Sequence, residues 1–161
     1  MNNAFTVFYI IFLVSAVVYQ ILVEHKADEA EKANKGRVYF GWTHLLINLT
    51  YLSVIIIPAV EYFLIKRKIN PVVSVAGIVL VAGGIWGRNY SIKILGKYWS
   101  GDIEARVGHK IVKEGPYAYM RHPAYLAMIL NGLGLCLMPN SYYSAVFVFG
   151  IYVISFIIRV I

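Results

Sequence analysis

Residues 125–158, "YLAMILNGLGLCLMPNSYYSAVFVFGIYVISFII", contain two apolar runs joined by the short segment 139–141. A helix needs roughly 20 apolar residues to cross a bilayer, because the hydrocarbon layer is about 30 Å thick and each residue rises about 1.5 Å. The stretch therefore predicts a tight hairpin of two transmembrane helices, and this hairpin decides the fold.

The composition of the whole chain agrees with a bilayer protein. Its 161 residues are 60% hydrophobic and only 14% charged, and the mean hydropathy is +0.67. These values exclude an ordinary water-soluble globule. The single cysteine, Cys136, lies in an apolar run, so no disulfide forms within one chain, and the residue is interpreted as a small buried packing residue.

Three further apolar segments precede the hairpin. The first covers residues 4–23, the second covers 42–65 with an interruption at Pro58, and the third covers 71–85 and continues as a more polar helix toward Leu95. The sequence therefore predicts an all-α integral membrane protein with about five transmembrane helices. Residues 1–95 hold the first three helices, and residues 96–161 hold a polar loop and the hairpin.

The distribution of basic residues predicts the orientation. The formal charge is +7, but the basic residues flank apolar segments rather than form a stripe, which argues against nucleic acid as a partner. With the N-terminus outside, only Lys66, Arg67 and Lys68 of the 15 basic residues lie outside. By the positive-inside rule the polar loop faces the cytoplasm. The connector 24–41 is then also inside, as a solvated and partly helical segment.

The polar loop, which includes "GHKIVKEGPYAYMRHPAYLA" at residues 108–127, is too polar to span and too aromatic for an ordinary connector. Gly115 and Pro116 predict a turn. Pro123 is suited to the first position of the next helix, with His122 held in a non-helical conformation before it. Such a helix N-terminus favours an anionic group of a ligand, and the Tyr117 ring could face a planar base.

Each of these residues also has a purely structural interpretation. His122 could cap the helix, Arg121 could anchor at lipid headgroups, and the tyrosines could form an interfacial belt. The four histidines lack the close spacing of metal ligands and have no cysteine or acidic partner beside them. The sequence therefore predicts no metal site.

"LGKYWS" at residues 95–100, followed by the 108–127 stretch, resembles the isoprenylcysteine carboxyl methyltransferase family. The resemblance runs from Leu95 to Arg159 and is greatest to the small prokaryotic members. It implies an integral membrane enzyme that transfers a methyl group from S-adenosylmethionine to the carboxylate of a lipophilic acceptor, a prenylated C-terminal cysteine. The lipid bilayer and this prenylcysteine-like acceptor are the expected partners, and no oligomeric state is predicted.

The resemblance also implies which residues form the site. Arg159 would lie near the methyl acceptor and hold its carboxylate. The cofactor would be lined by His109, Lys110, Ile111, Val112, Tyr117, His122, Pro123, Ala124 and Tyr125.

The chain departs from the family pattern at its end. The family carries a glutamate four residues after the arginine and an amphipathic tail, whereas the printed residues stop at Ile161. Either the sequence is truncated, or the protein lacks one wall of its site. Two alternatives stay open: an NADPH-dependent sterol-type reductase, since such enzymes carry a similar Arg-His-Pro-x-Tyr motif, and an inactive membrane remnant.

Overall fold

A computed structural model describes residues 3–32, 37–39, 42–100, 103–105 and 112–160. Five α-helices lie in these ranges: α1 Asn3–Lys32, α2 Trp42–Leu64, α3 Pro71–Leu95, α4 Pro123–Leu137 and α5 Tyr142–Val160. The strands β1 Arg37–Tyr39 and β2 Ile103–Ala105 are short, as are the 3-10 turns Gly96–Tyr98 and Gly115–Ala118. The predicted all-α architecture with a terminal hairpin is confirmed.

Two helices are long and apolar enough to cross a membrane, namely Leu45–Leu64 within α2 and Pro71–Leu95. Only 28% and 22% of their most apolar windows are buried inside the molecule, so most of their apolar side chains point outward. The shorter apolar helices are Asn3–Tyr19, Pro123–Leu137 and Tyr142–Ile158. The structure thus supports two candidate spans, and the prediction of about five stays a prediction.

Helix α1 continues past the predicted apolar run to Lys32, in agreement with a partly helical connector, because the charged segment is rich in good helix formers. The predicted interruption of α2 at Pro58 was wrong, since Pro58 lies inside a continuous helix. Pro58 is buried, and its carbonyl accepts a 2.9 Å hydrogen bond from the Ser141 hydroxyl. Neighbouring helices can satisfy the backbone around such a proline.

Helices α3 and α4 make the most extensive contact in the described part of the chain. Glycines allow the two backbones to touch. A Cβ atom on Gly84 would lie 2.7 Å from the Ala127 carbonyl oxygen, and one on Gly134 would lie 2.6 Å from the Gly77 carbonyl oxygen. Gly77 and Gly84 thus allow close helix packing, whereas an added Cβ atom on Gly83 would meet nothing within 4 Å.

The hairpin turn is held by a polar network from α2. The buried Glu61 carboxylate accepts hydrogen bonds from the Ser144 backbone N–H at 2.7 Å and from the Ser144 hydroxyl at 2.6 Å. Glu61 therefore caps the N-terminus of α5 from a neighbouring helix. Arg67 pairs with Glu61 at 3.3 Å. Asn140 adopts φ 61° in the turn, and its side chain donates to the Ser74 hydroxyl at 2.8 Å.

At the other end of the bundle, β1 pairs antiparallel with β2, with Val38 opposite Glu104. The two strands belong to the connector 24–41 and to the polar loop, and neither strand was predicted from the sequence. The N–H and C=O groups of an extended backbone need hydrogen-bond partners. Here the two segments provide these partners for each other through the β1–β2 pairing. The pairing places the connector and the polar loop at the same end of the bundle.

Candidate functional site

The described part of the polar loop folds back on the end of α3. Gly115 opens the 3-10 turn with φ 55°, a conformation that side chains rarely adopt. A Cβ atom at this position would also collide with the Ile94 side chain and lie 3.4 Å from the Tyr90 hydroxyl oxygen. The turn predicted at Gly115 and Pro116 is confirmed, and glycine is required there for its conformation and for its lack of a side chain.

His122 precedes α4 in a non-helical conformation, φ −131° and ψ 58°, and Pro123 is the first helical residue, as predicted. The His122 side chain makes no capping hydrogen bond. The interpretation of His122 as a helix cap is therefore wrong. Its exposed ring instead stacks on Tyr125, with centroids 5.2 Å apart and an interplanar angle of 8°. This stacking fixes the plane of the His122 ring.

The His122 and Tyr125 rings begin a stack that leads into the bundle. Tyr125 stacks on Phe156 of α5 at 4.4 Å, and Phe156 stacks on Tyr152 at 5.4 Å. Phe156 and Tyr152 are both buried. Offset stacked rings contribute about 0.5–1.5 kcal/mol per pair beyond their buried area. The stack therefore fixes the first turn of α4 against the end of α5.

Tyr117 is half-buried beside Tyr125. Burial, with a smaller contribution from Tyr125, raises the pKa of Tyr117 from 10.0 to about 12. The phenol is therefore neutral at physiological pH and can donate a hydrogen bond, but it does not act as a base.

The first turn of α4 offers a helix N-terminus to this loop. Pro123 has no N–H group, and the backbone N–H groups of Tyr125 and Leu126 share the His122 carbonyl at 3.2 and 3.3 Å. The Ala124 N–H is one of the donors that a first helical turn does not use internally. Pro123 and Ala124 are buried, so this positive end of the helix dipole lies against the protein.

The structure brings together five of the residues assigned to the cofactor: Tyr117, His122, Pro123, Ala124 and Tyr125. Val112, half-buried, enters the same loop. His109, Lys110 and Ile111 lie outside the described residues. Arg159 belongs to the last turn of α5.

A polar pocket between the helices was missed by the sequence analysis. Its volume is about 10 Å³, roughly enough for one water molecule, and it is lined by Tyr51, Gly84, Arg88, Ala127, Met128, Asn131 and Tyr152. Arg88 was counted among the basic residues that flank the spans, but its side chain lines this pocket within the bundle. Arg88 lies just after the apolar run that ends at Ile85, and a charged residue within the same predicted helix was the signal that could have marked this side chain as a functional candidate.

Comparisons with known proteins give one matching family and a similar bacterial protein. Residues 75–161 match the model of the isoprenylcysteine carboxyl methyltransferase (ICMT) family, a range that begins in α3 and includes the polar loop and the hairpin. The uncharacterized protein YpbQ of Bacillus subtilis (strain 168) is 27% identical over 119 residues, which cover 73% of this chain and 70% of that protein.

Proposed function

The chain belongs to the isoprenylcysteine carboxyl methyltransferase family, and we propose that it transfers the methyl group of S-adenosylmethionine to the carboxylate of a lipophilic acceptor, a C-terminal isoprenylcysteine. The single observation that carries the proposal is the family match, which spans all of the described site residues. The geometry of the loop adds support, because the His122 ring stacks on Tyr125 and does not cap the helix.

The loop and the first turn of α4 would hold the methyl donor. The N-terminus of α4 suits the donor's carboxylate, since the Ala124 N–H is not used within the helix and the helix dipole attracts an anion. The neutral Tyr117 phenol can donate a hydrogen bond, and the His122 ring can do so through its nitrogen atoms. His109, Lys110, Ile111 and Val112 complete the proposed lining on the strength of the resemblance.

The reaction requires little acid or base chemistry. An O–CH₃ bond forms at the acceptor carboxylate while the S–CH₃ bond of the donor breaks, which leaves S-adenosylhomocysteine and a methyl ester with no proton to transfer. The protein's contribution is to align the two groups and to exclude water. Arg159 is proposed to hold the acceptor carboxylate, because a guanidinium group binds a carboxylate through paired hydrogen bonds.

We also propose that the chain is an integral membrane protein whose cofactor site faces the cytoplasm. The support is the large number of exposed apolar side chains on α1, α2, α3 and α5, since soluble monomers rarely expose such extended apolar surface. A membrane position also gives a prenyl chain direct access from the lipid.

The proposal is tested by incubating the purified chain in detergent micelles with S-adenosylmethionine labelled in its methyl group and N-acetyl-S-farnesylcysteine. The expected product is a base-labile methyl ester that carries the label. Oxidation of NADPH with reduction of a sterol double bond, and no labelled ester, would contradict the proposal and favour the reductase.

A further inference from the structure

The end of the bundle that holds the turn between α4 and α5 also carries three consecutive basic residues, Lys66, Arg67 and Lys68. They belong to the connector between α2, which ends at Leu64, and α3, which begins at Pro71. The proposed orientation places this end outside, where the positive-inside rule disfavours basic residues. Their presence calls for an explanation, and contacts among the described residues account for Arg67 alone.

Arg67 is held on several sides by the fold. Its guanidinium group pairs with the Glu61 carboxylate at 3.3 Å and donates a hydrogen bond to the Asn140 carbonyl at 3.5 Å. The same group lies over the rings of Tyr142 and Tyr143, 5.2 and 4.6 Å from their centroids. Arg67 is therefore a structural residue, and Glu61 compensates its charge.

The backbone of the connector is fixed on both sides of Arg67. The Arg67 N–H donates to the Ile65 carbonyl at 2.8 Å. Further along, the Asn70 N–H donates to the Asn140 side-chain oxygen at 2.9 Å. The Asn70 side chain in turn accepts a hydrogen bond from the Val72 N–H at 3.0 Å and caps α3. The positions of the residues between these points are therefore set by the fold.

The two lysines of the connector point away from this network. Exposure alternates along the connector, since Lys66 and Lys68 are exposed whereas Arg67 and Ile69 are partly buried. Neither lysine side chain forms a hydrogen bond or an ion pair with a residue that the structure describes. The connector thus presents two uncompensated ammonium groups on its outer side.

These lysines lie where the surface of the bundle changes from apolar to polar. Leu64, at the end of one candidate span, is 76% exposed, and Val72, at the start of the other, is 75% exposed. Tyr143, whose ring contacts Arg67, is also exposed. Tyrosine rings and basic side chains next to an apolar surface are typical of the level of lipid headgroups.

We propose that Lys66 and Lys68 bind the headgroup phosphate of an anionic phospholipid in the leaflet at this end of the bundle. Each ammonium group carries three hydrogen-bond donors, and the phosphate supplies the negative charge that the fold does not. The apolar side chains of Leu64 and Val72 on either side of the connector suit the acyl chains, which favours a lipid over a dissolved phosphate. This inference rests on the proposed membrane position and is independent of the methyl transfer.

The test measures which lipid lies beside the connector of the full chain in a phosphatidylcholine bilayer. A bimane fluorophore is attached to Val72→Cys, while the native Cys136 is fully buried and should not react. The bilayer contains an equal, small fraction of either phosphatidylglycerol or phosphatidylcholine with a nitroxide near the top of one acyl chain. The ratio of quenching by the two lipids reports the local preference for the anionic headgroup.

Phosphatidylglycerol is expected to quench more strongly, with an enrichment of about fivefold for each lysine. The double variant Lys66→Gln, Lys68→Gln should quench equally with both lipids, whereas Lys66→Arg, Lys68→Arg keeps the charges and should keep the preference. The matched control is Lys93→Gln, Lys113→Gln, which removes two exposed charges at the opposite end of the bundle. This control should quench like the unsubstituted chain.

Three results would overturn the proposal, and each has a different meaning. Equal quenching by both lipids in the unsubstituted chain, or an unchanged preference in the double glutamine variant, would show that the lysines select no lipid although the bundle lies in the bilayer. Loss of the preference when inorganic phosphate replaces chloride at equal ionic strength would identify a site for a dissolved anion. A folded chain that neither lipid quenches would contradict the membrane position itself.

Discussion

His122 precedes α4, and the proline after it restricts its backbone conformation. The packing of the helices then determines what its side chain contacts. Pro123 disfavours a helical conformation for His122, and the structure shows φ −131°. The ring then stacks on Tyr125 rather than capping the helix. At the scale of single residues, the site is therefore built from steric restrictions at Gly115 and Pro123 together with ring contacts that involve α5.

Tyr117 gives a prediction about pH. Its pKa is raised from 10.0 to about 12, so folding favours the protonated phenol. The stabilisation is complete below pH about 10 and is lost as the pH rises toward 12. We expect Tyr117→Phe to leave the pH dependence of methyl transfer between pH 6 and 9 unchanged, although binding of the donor weakens. A change in the apparent pKa of the rate profile in this variant would contradict the prediction.

The sequence could predict the residues whose roles depend on their immediate neighbours. Gly115, Pro116 and Pro123 restrict their own backbone, so their positions followed from the sequence. Arg88 and Asn131 belong to different helices, and the pocket between them depends on how α3 and α4 pack. No local pattern encodes that packing, so the pocket required the structure.

At the scale of helices, the contact between α3 and α4 forms the polar pocket and holds α4, whose first turn belongs to the proposed cofactor site. Its tightness depends on glycine at particular positions, and two adjacent glycines of α3 differ in their surroundings. An added Cβ atom on Gly84 would lie 2.7 Å from the Ala127 carbonyl oxygen, whereas one on Gly83 would meet nothing within 4 Å.

Gly84→Ala should therefore destabilise the protein by about 1–3 kcal/mol, because overpacking forces the backbones apart. Gly83→Ala is the matched control and should be neutral or slightly stabilising, since alanine is the better helix former. Thermal unfolding of both variants in detergent measures the difference. Equal melting temperatures for the two variants would show that α3 and α4 are not in backbone contact.

The Glu61 carboxylate of α2, which caps the N-terminus of α5, gives a second prediction about the helices. Glu61→Ala removes the carboxylate that pairs with Arg67 and the acceptor of two hydrogen bonds from Ser144. Breaking a buried ion pair by removing one partner lowers the free energy of unfolding by about 3–5 kcal/mol. Because the Arg67 side chain is 24% exposed, we expect Glu61→Ala to lower it by about 3 kcal/mol or less. Unfolding of the single variants and of the Glu61→Ala, Arg67→Ala double variant measures the coupling. Strict additivity of the two losses would exclude the pair.

At the scale of the whole molecule, the outer surface of the bundle is apolar while its two ends are polar. Arg67 and the hairpin turn lie at one end, and the polar loop with the paired strands lies at the other. Hydrophobic segments and the distribution of basic residues predicted this layout, because a bilayer imposes length and polarity on every segment. The strand pair was not predicted, since three-residue strands leave almost no pattern.

Labelling with a membrane-impermeant thiol reagent tests the proposed orientation. Lys113 and Lys68 are both exposed, and the native Cys136 is fully buried, so the natural thiol should give little background. We expect Lys113→Cys to react only from the cytoplasmic side and Lys68→Cys only from the outside. Reaction of both from the same side would contradict a bundle that spans the bilayer between them.

Calorimetric titration of the detergent-purified 161-residue chain with S-adenosylhomocysteine is the most direct test of the central claim, that the loop and the start of α4 form a methyl-donor site. The account predicts binding that His122→Ala weakens by about tenfold, as expected for loss of a hydrogen bond and a ring contact. Tyr119→Ala, which removes a ring that is 91% exposed in the same loop, should bind like the unsubstituted chain. A folded chain that binds no S-adenosylhomocysteine, or binds it equally well with His122→Ala, would contradict the account.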